Sequence, residues 1–214
     1  MSMTRLSKIE GVAAPLPIAN LDTDQIIPKQ FLRRIDKAGL ADGILYDMRF
    51  DSNGDKRGDF VLNQPAYADS KILVAGQNFG CGSSREHAVW GLLEFGIKAV
   101  IAPSFGEIFY SNAMNNNLLL VALEENAVEA ILRDVINPQY SQICIDIEAM
   151  TVRSHSQSAS FSLSERHRRM FLEGLDMIGA TLSMEDQIRA FAQAHWQHKP
   201  WLKDIAATTR KRLV

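Results

Sequence analysis

The stretch GQNFGCGSSREH at residues 76–87 constrains this chain more than any other. It follows KILVAG, residues 71–76, which has the length and composition of a short buried strand. Gly76, Gly80 and Gly82 make a tight turn and let the backbone approach a neighbour closely. Ser83 with Glu86 three residues on spells a capping box. Ala88, Val89, Leu92, Leu93 and Phe95 then give an apolar face at helical spacing, and Gly96 is a natural stop. Such a helix start presents free N–H groups and the positive end of the dipole, an anion site beside Ser83 and Ser84. Arg85 adds a guanidinium suited to a carboxylate. A capped helix with Arg85 in an ordinary salt bridge fits the same residues equally well. The glycine spacing matches a dinucleotide fingerprint only loosely, and no acidic residue stands at a convincing ribose position.

The pattern continues as strand (98–102), helix around Phe105 to Ala113, strand (118–123), helix (127–136) and a half-buried strand in which Ile143, Ile145 and Ile147 alternate with Cys144 and Asp146. Phe161 and Leu163 read as the second arm of a hairpin. The first third reads as strands and loops, with residues 42–59 as a long surface loop. From Ser164 the chain reads as helices to about Trp196. This is an α/β core with a β-rich start and a late hairpin, a β/β/α arrangement. The expected organisation is a domain over 1–163, helices packed on it over 164–198, and a basic, flexible tail over 199–214. That tail carries five Lys or Arg against one Asp.

Composition removes several function classes. Lys and Arg number 23 against 25 Asp and Glu, so no chain-wide positive field exists for nucleic acid. The longest strongly apolar run, 118–123, is far short of the roughly 20 residues that span a bilayer. The N-terminal residues hold no signal-peptide core. Cys81 and Cys144 are the only cysteines, which excludes a disulfide framework and a zinc ribbon. Two thiolates are also too few for a cubane cluster, which needs three or four. The expectation is a cytoplasmic protein with no metal site of its own.

A second motif is NLDTDQIIP at residues 20–28. Asp22 and Asp24, two residues apart on an extended segment, point to one side. They can hold a cation, orient a base or pair with arginines; an Asx-turn before a strand accounts for them too. Lys29, Arg33 and Arg34 follow, three basic groups that either clamp an acidic ligand or form a solvated face.

NLDTDQIIPKQFL and GQNFGCGSSREHA together resemble the small subunit of bacterial 3-isopropylmalate dehydratase, the detached swivelling domain of the aconitase superfamily. SFGEIFYSNAMNNNLLLV and ERHRRMFLEGLDMIGATL are similar to the same family, so the resemblance runs from about Leu6 to Trp196. One departure is YDMRF at 46–50, where the family leads one to expect Trp in place of Met48.

The resemblance implies the aconitase-type swivelling β/β/α fold with a C-terminal helical extension. It implies isomerisation of 2- to 3-isopropylmalate in leucine biosynthesis, by dehydration and rehydration through an enclosed alkene. A [4Fe-4S] cluster on a separate large subunit would act as Lewis acid on the leaving hydroxyl. In this pattern Ser83 is the base, Arg85 stabilises its alkoxide and binds a substrate carboxylate, and Asp24 supports the site. Ser84, Thr23, Lys29, Arg33 and Arg34 fall in the substrate-binding set, with one of the three basic residues on the second acid group. Asp22 and His87 read as structural, Cys81 has no assigned role and Cys144 is a small hydrophobe. The implied partners are the large subunit and a small dicarboxylate. Apolar surface meant for that larger partner can drive self-association of the isolated chain. The rival readings are a related hydro-lyase small subunit (citraconate or maleate hydratase, or homoaconitase), a nucleotide- or RNA-binding module, and a hydrolase built on Ser83 or Cys81.

Overall fold

The computed structural model describes residues 5–32 and 38–212. In chain order the core elements are strand β1 (Lys8–Leu16), short helices α1 (Thr23–Ile26) and α2 (Tyr46–Arg49), β2 (Ile72–Ala75), α3 (His87–Phe95), β3 (Ala99–Ala102), α4 (Glu107–Asn115), β4 (Leu119–Ala122), α5 (Glu125–Val135), β5 (Gln142–Asp146), β6 (Thr151–Arg153), β7 (Ser158–Ser160) and α6 (Glu165–Glu173). The strands form one mixed sheet in the order β4-β3-β2-β1-β5-β6-β7. β1 joins its two halves. Ala13 to Leu16 pair in parallel with β2, whereas Lys8 to Val12 pair antiparallel with β5.

The two halves bury differently, as their sequences require. In β2 and β3 every residue is buried, and in β4 only Ala122 is exposed. Parallel strands made by β-α-β crossovers are covered on both faces and so read as continuous apolar runs. β6 and β7 instead alternate, because one face meets solvent. α5 packs across β1, β2 and β3, and α3 meets α4. The C-terminal ends of β2 and β3 open into the loops at 76–86 and 103–106.

Several sequence expectations change in detail. The first third holds the single strand β1; the rest of its described residues are loops and short helical turns. Residues 42–59 are only partly a surface loop. Ile44 and Leu45 are buried, and Arg49 is 7% exposed. Arg49 donates to the carbonyls of Ile44 (3.1 Å) and Ala41 (3.4 Å) and lies over the rings of Phe50 and Phe95. Glu94 of α3 accepts the backbone N–H groups of Gly39, Leu40 and Ala41 at 2.6 to 3.0 Å. A satisfied guanidinium and a satisfied carboxylate thus tie a polar-looking segment into the core. Met48 packs against the core as well. The hairpin is β6–β7. Phe161 lies just beyond it and donates its N–H to the Met150 carbonyl (3.0 Å).

The chain divides into two compact units at Asp176/Met177. The second contains α7 (Met177–Leu182), α8 (Glu185–His198) and α9 (Ile205–Arg212). Residues 205–212, expected in a flexible tail, are therefore helical. Among the described residues no helix is long and apolar enough to cross a membrane.

Candidate active site

The two motifs, more than fifty residues apart in sequence, lie side by side. Asn20 N–H donates to the Gln77 carbonyl (2.8 Å), Gly80 N–H to Leu21 (2.7 Å) and Thr23 N–H to Cys81 (2.9 Å). Asp22 and Cys81 form a parallel bridge. The Asn78 side-chain amide donates to Asn20 Oδ1 (2.8 Å), and the Cys81 thiol to the Asn20 carbonyl (3.3 Å). Gly82 has φ +90°, and a Cβ there would stand 3.2 Å from Asp22 Cβ. The left-handed turn that glycine alone adopts freely therefore lets the second motif pass the first.

The carboxylates of the first motif do not share one side of an extended segment. Only Asp22 is extended; Thr23 to Ile26 form α1. Asp22 caps that helix, its Oδ1 accepting from the N–H groups of Asp24 (2.7 Å) and Gln25 (2.9 Å). Gln25 Oε1 closes the capping box by accepting from Asp22 N–H (3.0 Å). Asp22 is thus occupied with structure. Asp24, within the helix, pairs with Arg85 Nη1.

Thr23 is buried, and its hydroxyl lies 3.1 Å from both the carbonyl and the Oγ of Ser83. Ser83 and Ser84 are themselves exposed, while Arg85 is half-buried. Ser83 and Ser84 are thus exposed beside the Asp24–Arg85 ion pair.

α3 starts at His87, not at Ser83, and Ser83 and Glu86 form no capping box. Both groups of the expected box are used elsewhere. The Ser83 hydroxyl faces Thr23, and Glu86 Oε1 accepts the Asn116 amide (2.5 Å). Residues 83–86 are held across to α1 and to the end of α4, so they cannot wind into the first turn. The N-terminus of α3 still follows closely on Arg85. His87 opens that helix with its ring 4.9 Å from the Trp90 ring.

Lys29 is exposed at the start of a short 3-10 turn, Lys29–Phe31, that follows α1. Arg33 and Arg34 lie outside the described residues. Asn112 is not singled out by sequence, yet its side-chain amide donates to the Ser84 carbonyl (3.4 Å). The one hint in the sequence is its place four residues before Asn116. Cys144 is half-buried on β5, and its thiol meets the Glu10 carboxylate (3.2 Å) instead of apolar neighbours alone. Burial and that carboxylate push the thiol above its ordinary pKa.

The residues of this chain do not fit an iron–sulfur cluster. Its two cysteines are fewer than three thiolates. Among the described residues no group of three His, Cys, Asp or Glu side chains could hold a metal.

Comparison with known proteins identifies the family of the chain. The family model of the aconitase C-terminal domain matches residues 3–126. A second model, the C-terminal domain of the 3-isopropylmalate dehydratase small subunit, matches residues 177–205. The chain is 72% identical to 3-isopropylmalate dehydratase small subunit 1 of Chromobacterium violaceum, over 99% of this chain and 100% of that one. It is 46% identical to the small subunit of Parvibaculum lavamentivorans, over 94% of this chain and 100% of the relative. The crystal structure of 3-isopropylmalate dehydratase from Methanocaldococcus jannaschii superposes with a TM-score of 0.62 at 28% identity, covering 86% of this chain and 99% of that one. The chain belongs to the 3-isopropylmalate dehydratase small-subunit family, built on an aconitase C-terminal domain.

Proposed function

We propose that the Thr23–Asp24–Ser83–Arg85 cluster is the proton-handling half of a hydro-lyase site. The chain works with a large subunit as the small subunit of a cytoplasmic 3-isopropylmalate dehydratase. The observation that carries this reading is the pinning of Thr23 and Asp24, from the first motif, onto Ser83 and Arg85, from the second.

Elimination of water from 2-isopropylmalate requires a base at the carbon that loses its proton. Ser83 Oγ takes that proton and returns it, at the neighbouring carbon, when water adds back to the alkene. A serine hydroxyl is a weak base in water, so its alkoxide needs donors already in place. Thr23 supplies one. Its single O–H satisfies the Ser83 carbonyl in the resting site and turns to Ser83 Oγ when that oxygen carries charge; the two acceptors are equally near. Arg85 adds a fixed positive charge. Asp24 takes one edge of the guanidinium and leaves another edge for a substrate carboxylate, which Arg binds in a two-point geometry. Ser84, which is exposed, and one of Lys29, Arg33 and Arg34 complete the substrate contacts. The Lewis-acid half, with its [4Fe-4S] cluster, belongs to the large subunit in this reading.

The test is anaerobic reconstitution of this chain with the large subunit of the same organism. Alkene formation from 2-isopropylmalate is followed by ultraviolet absorbance. Activity needs both chains, and Ser83→Ala lowers kcat at least ~10³-fold with assembly intact. Wild-type levels in Ser83→Ala, or no activity from a verified complex, would sink the assignment.

A further inference from the structure

We propose that Ile108 is an apolar anchor through which this chain binds the large subunit that completes its site; this rests on the hydro-lyase reading above. Ile108 is 51% exposed. Among the described residues of the first unit, the other exposed large apolar side chains are Ile136 and Tyr140. Tyr140 is stacked on His155 with ring centroids 3.9 Å apart. Ile136 stands at the end of α5, where its carbonyl accepts from the Tyr67 hydroxyl (3.0 Å). Tyr67 precedes β2, whereas Ser83 follows β2, so Ile136 lies at the other end of the strands from the site.

The position of Ile108 follows from the α4 stripe. Residues four apart lie on one face of a helix. Asn116 faces the start of α3, donating to Glu86 Oε1 (2.5 Å) and accepting from the Trp90 indole (3.1 Å). One turn earlier, Asn112 donates to the Ser84 carbonyl. One turn earlier again is Ile108, level with the segment that leads into Ser84. A second contact fixes the same alignment. Gly106 N–H donates to the Phe79 carbonyl (2.9 Å), and a Cβ at Gly106 would lie 2.5 Å from the Gly80 oxygen. The start of α4 is therefore in contact with the turn that carries Ser83.

The occupant is set by what the site lacks. Ser83 and Ser84 are exposed, and this chain has too few thiolates for a cluster. A partner must bring that half over Ser83 and exclude water from it. A partner that covers Ser83 meets the turn that the start of α4 touches, and Ile108 lies two residues beyond that contact. Glu107, Ser104 and Ser111 around it are exposed and polar. One apolar side chain inside a polar rim is the arrangement of an interface anchor.

The experiment titrates the cluster-loaded large subunit with the full chain, anaerobically. It reads complex formation by sedimentation, and kcat and KM for 2-isopropylmalate at saturation. Ile108→Asp raises the Kd of the complex about 10-fold or more, the scale of burying one aliphatic side chain. Its kcat at saturating large subunit stays within about 2-fold of wild type, and Ile108→Leu restores the wild-type Kd. Ile136→Asp, the same change away from the site, leaves Kd unchanged. An unaltered Kd with a raised KM would place Ile108 against substrate and overturn the proposal. Equal weakening by both Asp variants would overturn it as a non-specific charge effect. A wild-type chain that binds no large subunit would bring down the hydro-lyase reading itself.

Discussion

Thr23 separates two kinds of residue near the proposed reacting centre. It is 1% exposed, so its hydroxyl meets Ser83 and not solvent. The family resemblance puts it in the substrate-binding set; its burial beside Ser83 favours the positioning role proposed above. Thr23→Val keeps the shape and removes the hydroxyl, leaving the Ser83 carbonyl without its donor. We expect kcat to fall about 10-fold with KM little changed, and Thr23→Ser to recover most of the rate. Steady-state kinetics on the reconstituted enzyme reads the split; a change confined to KM would return Thr23 to the substrate set. At this scale the sequence exposes residue types well and partnerships poorly. Asp22 and Asp24 look interchangeable in NLDTDQ. Only the helical turn that begins between them gives one to the cap and the other to Arg85.

Single elements behave as their patterns require wherever local forces dominate. β2, β3 and β4, and helices α4 and α5, fall within a few residues of the expected boundaries, because continuous apolar runs and 3.6-residue periodicity are local signals. The elements that shift are those whose ends are held by distant partners. α3 loses its first turn to Thr23 and Asn116. The late hairpin is fixed by Asp134 of α5. Its Oδ2 accepts from the Ser154 hydroxyl (2.6 Å), the Ser156 N–H (2.8 Å) and the Ser156 hydroxyl (3.0 Å). Burial alone would raise the Asp134 pKa, but these hydrogen bonds, with His155, hold it below its ordinary 3.8. A carboxylate with a depressed pKa adds stability that is present above 3.8 and is lost as the pH falls through the lower folded value. Asp134→Asn should therefore cost about 1 kcal/mol at neutral pH, and the gap to wild type should close in strong acid. Urea unfolding at the two pH values checks it; a constant gap would assign the effect to packing.

For the whole molecule, the core and the C-terminal helices are separate matters. Among the described residues, every buried hydrophobic side chain lies between Ile9 and Phe171, inside the first unit. Met177, Ile178, Leu182, Phe191, Trp196 and Trp201 in the second unit are all exposed. A chain ending at Asp176 should keep a single cooperative unfolding transition, with Tm within about 4 °C of the full chain. Calorimetry tests this, and loss of the transition would make the second unit part of the folding core. The sequence by itself determined that the core is α/β, because the alternation of apolar runs with helical faces is written in consecutive residues. It also determined that this chain alone supplies too few thiolates for a cubane cluster, because cysteines can be counted. The tertiary structure decided the rest. It chose where α3 begins, which aspartate meets Arg85, and that Thr23 is buried against Ser83. Each of these depends on two segments brought together across the end of a sheet. No local propensity encodes a hydrogen bond between residues sixty apart.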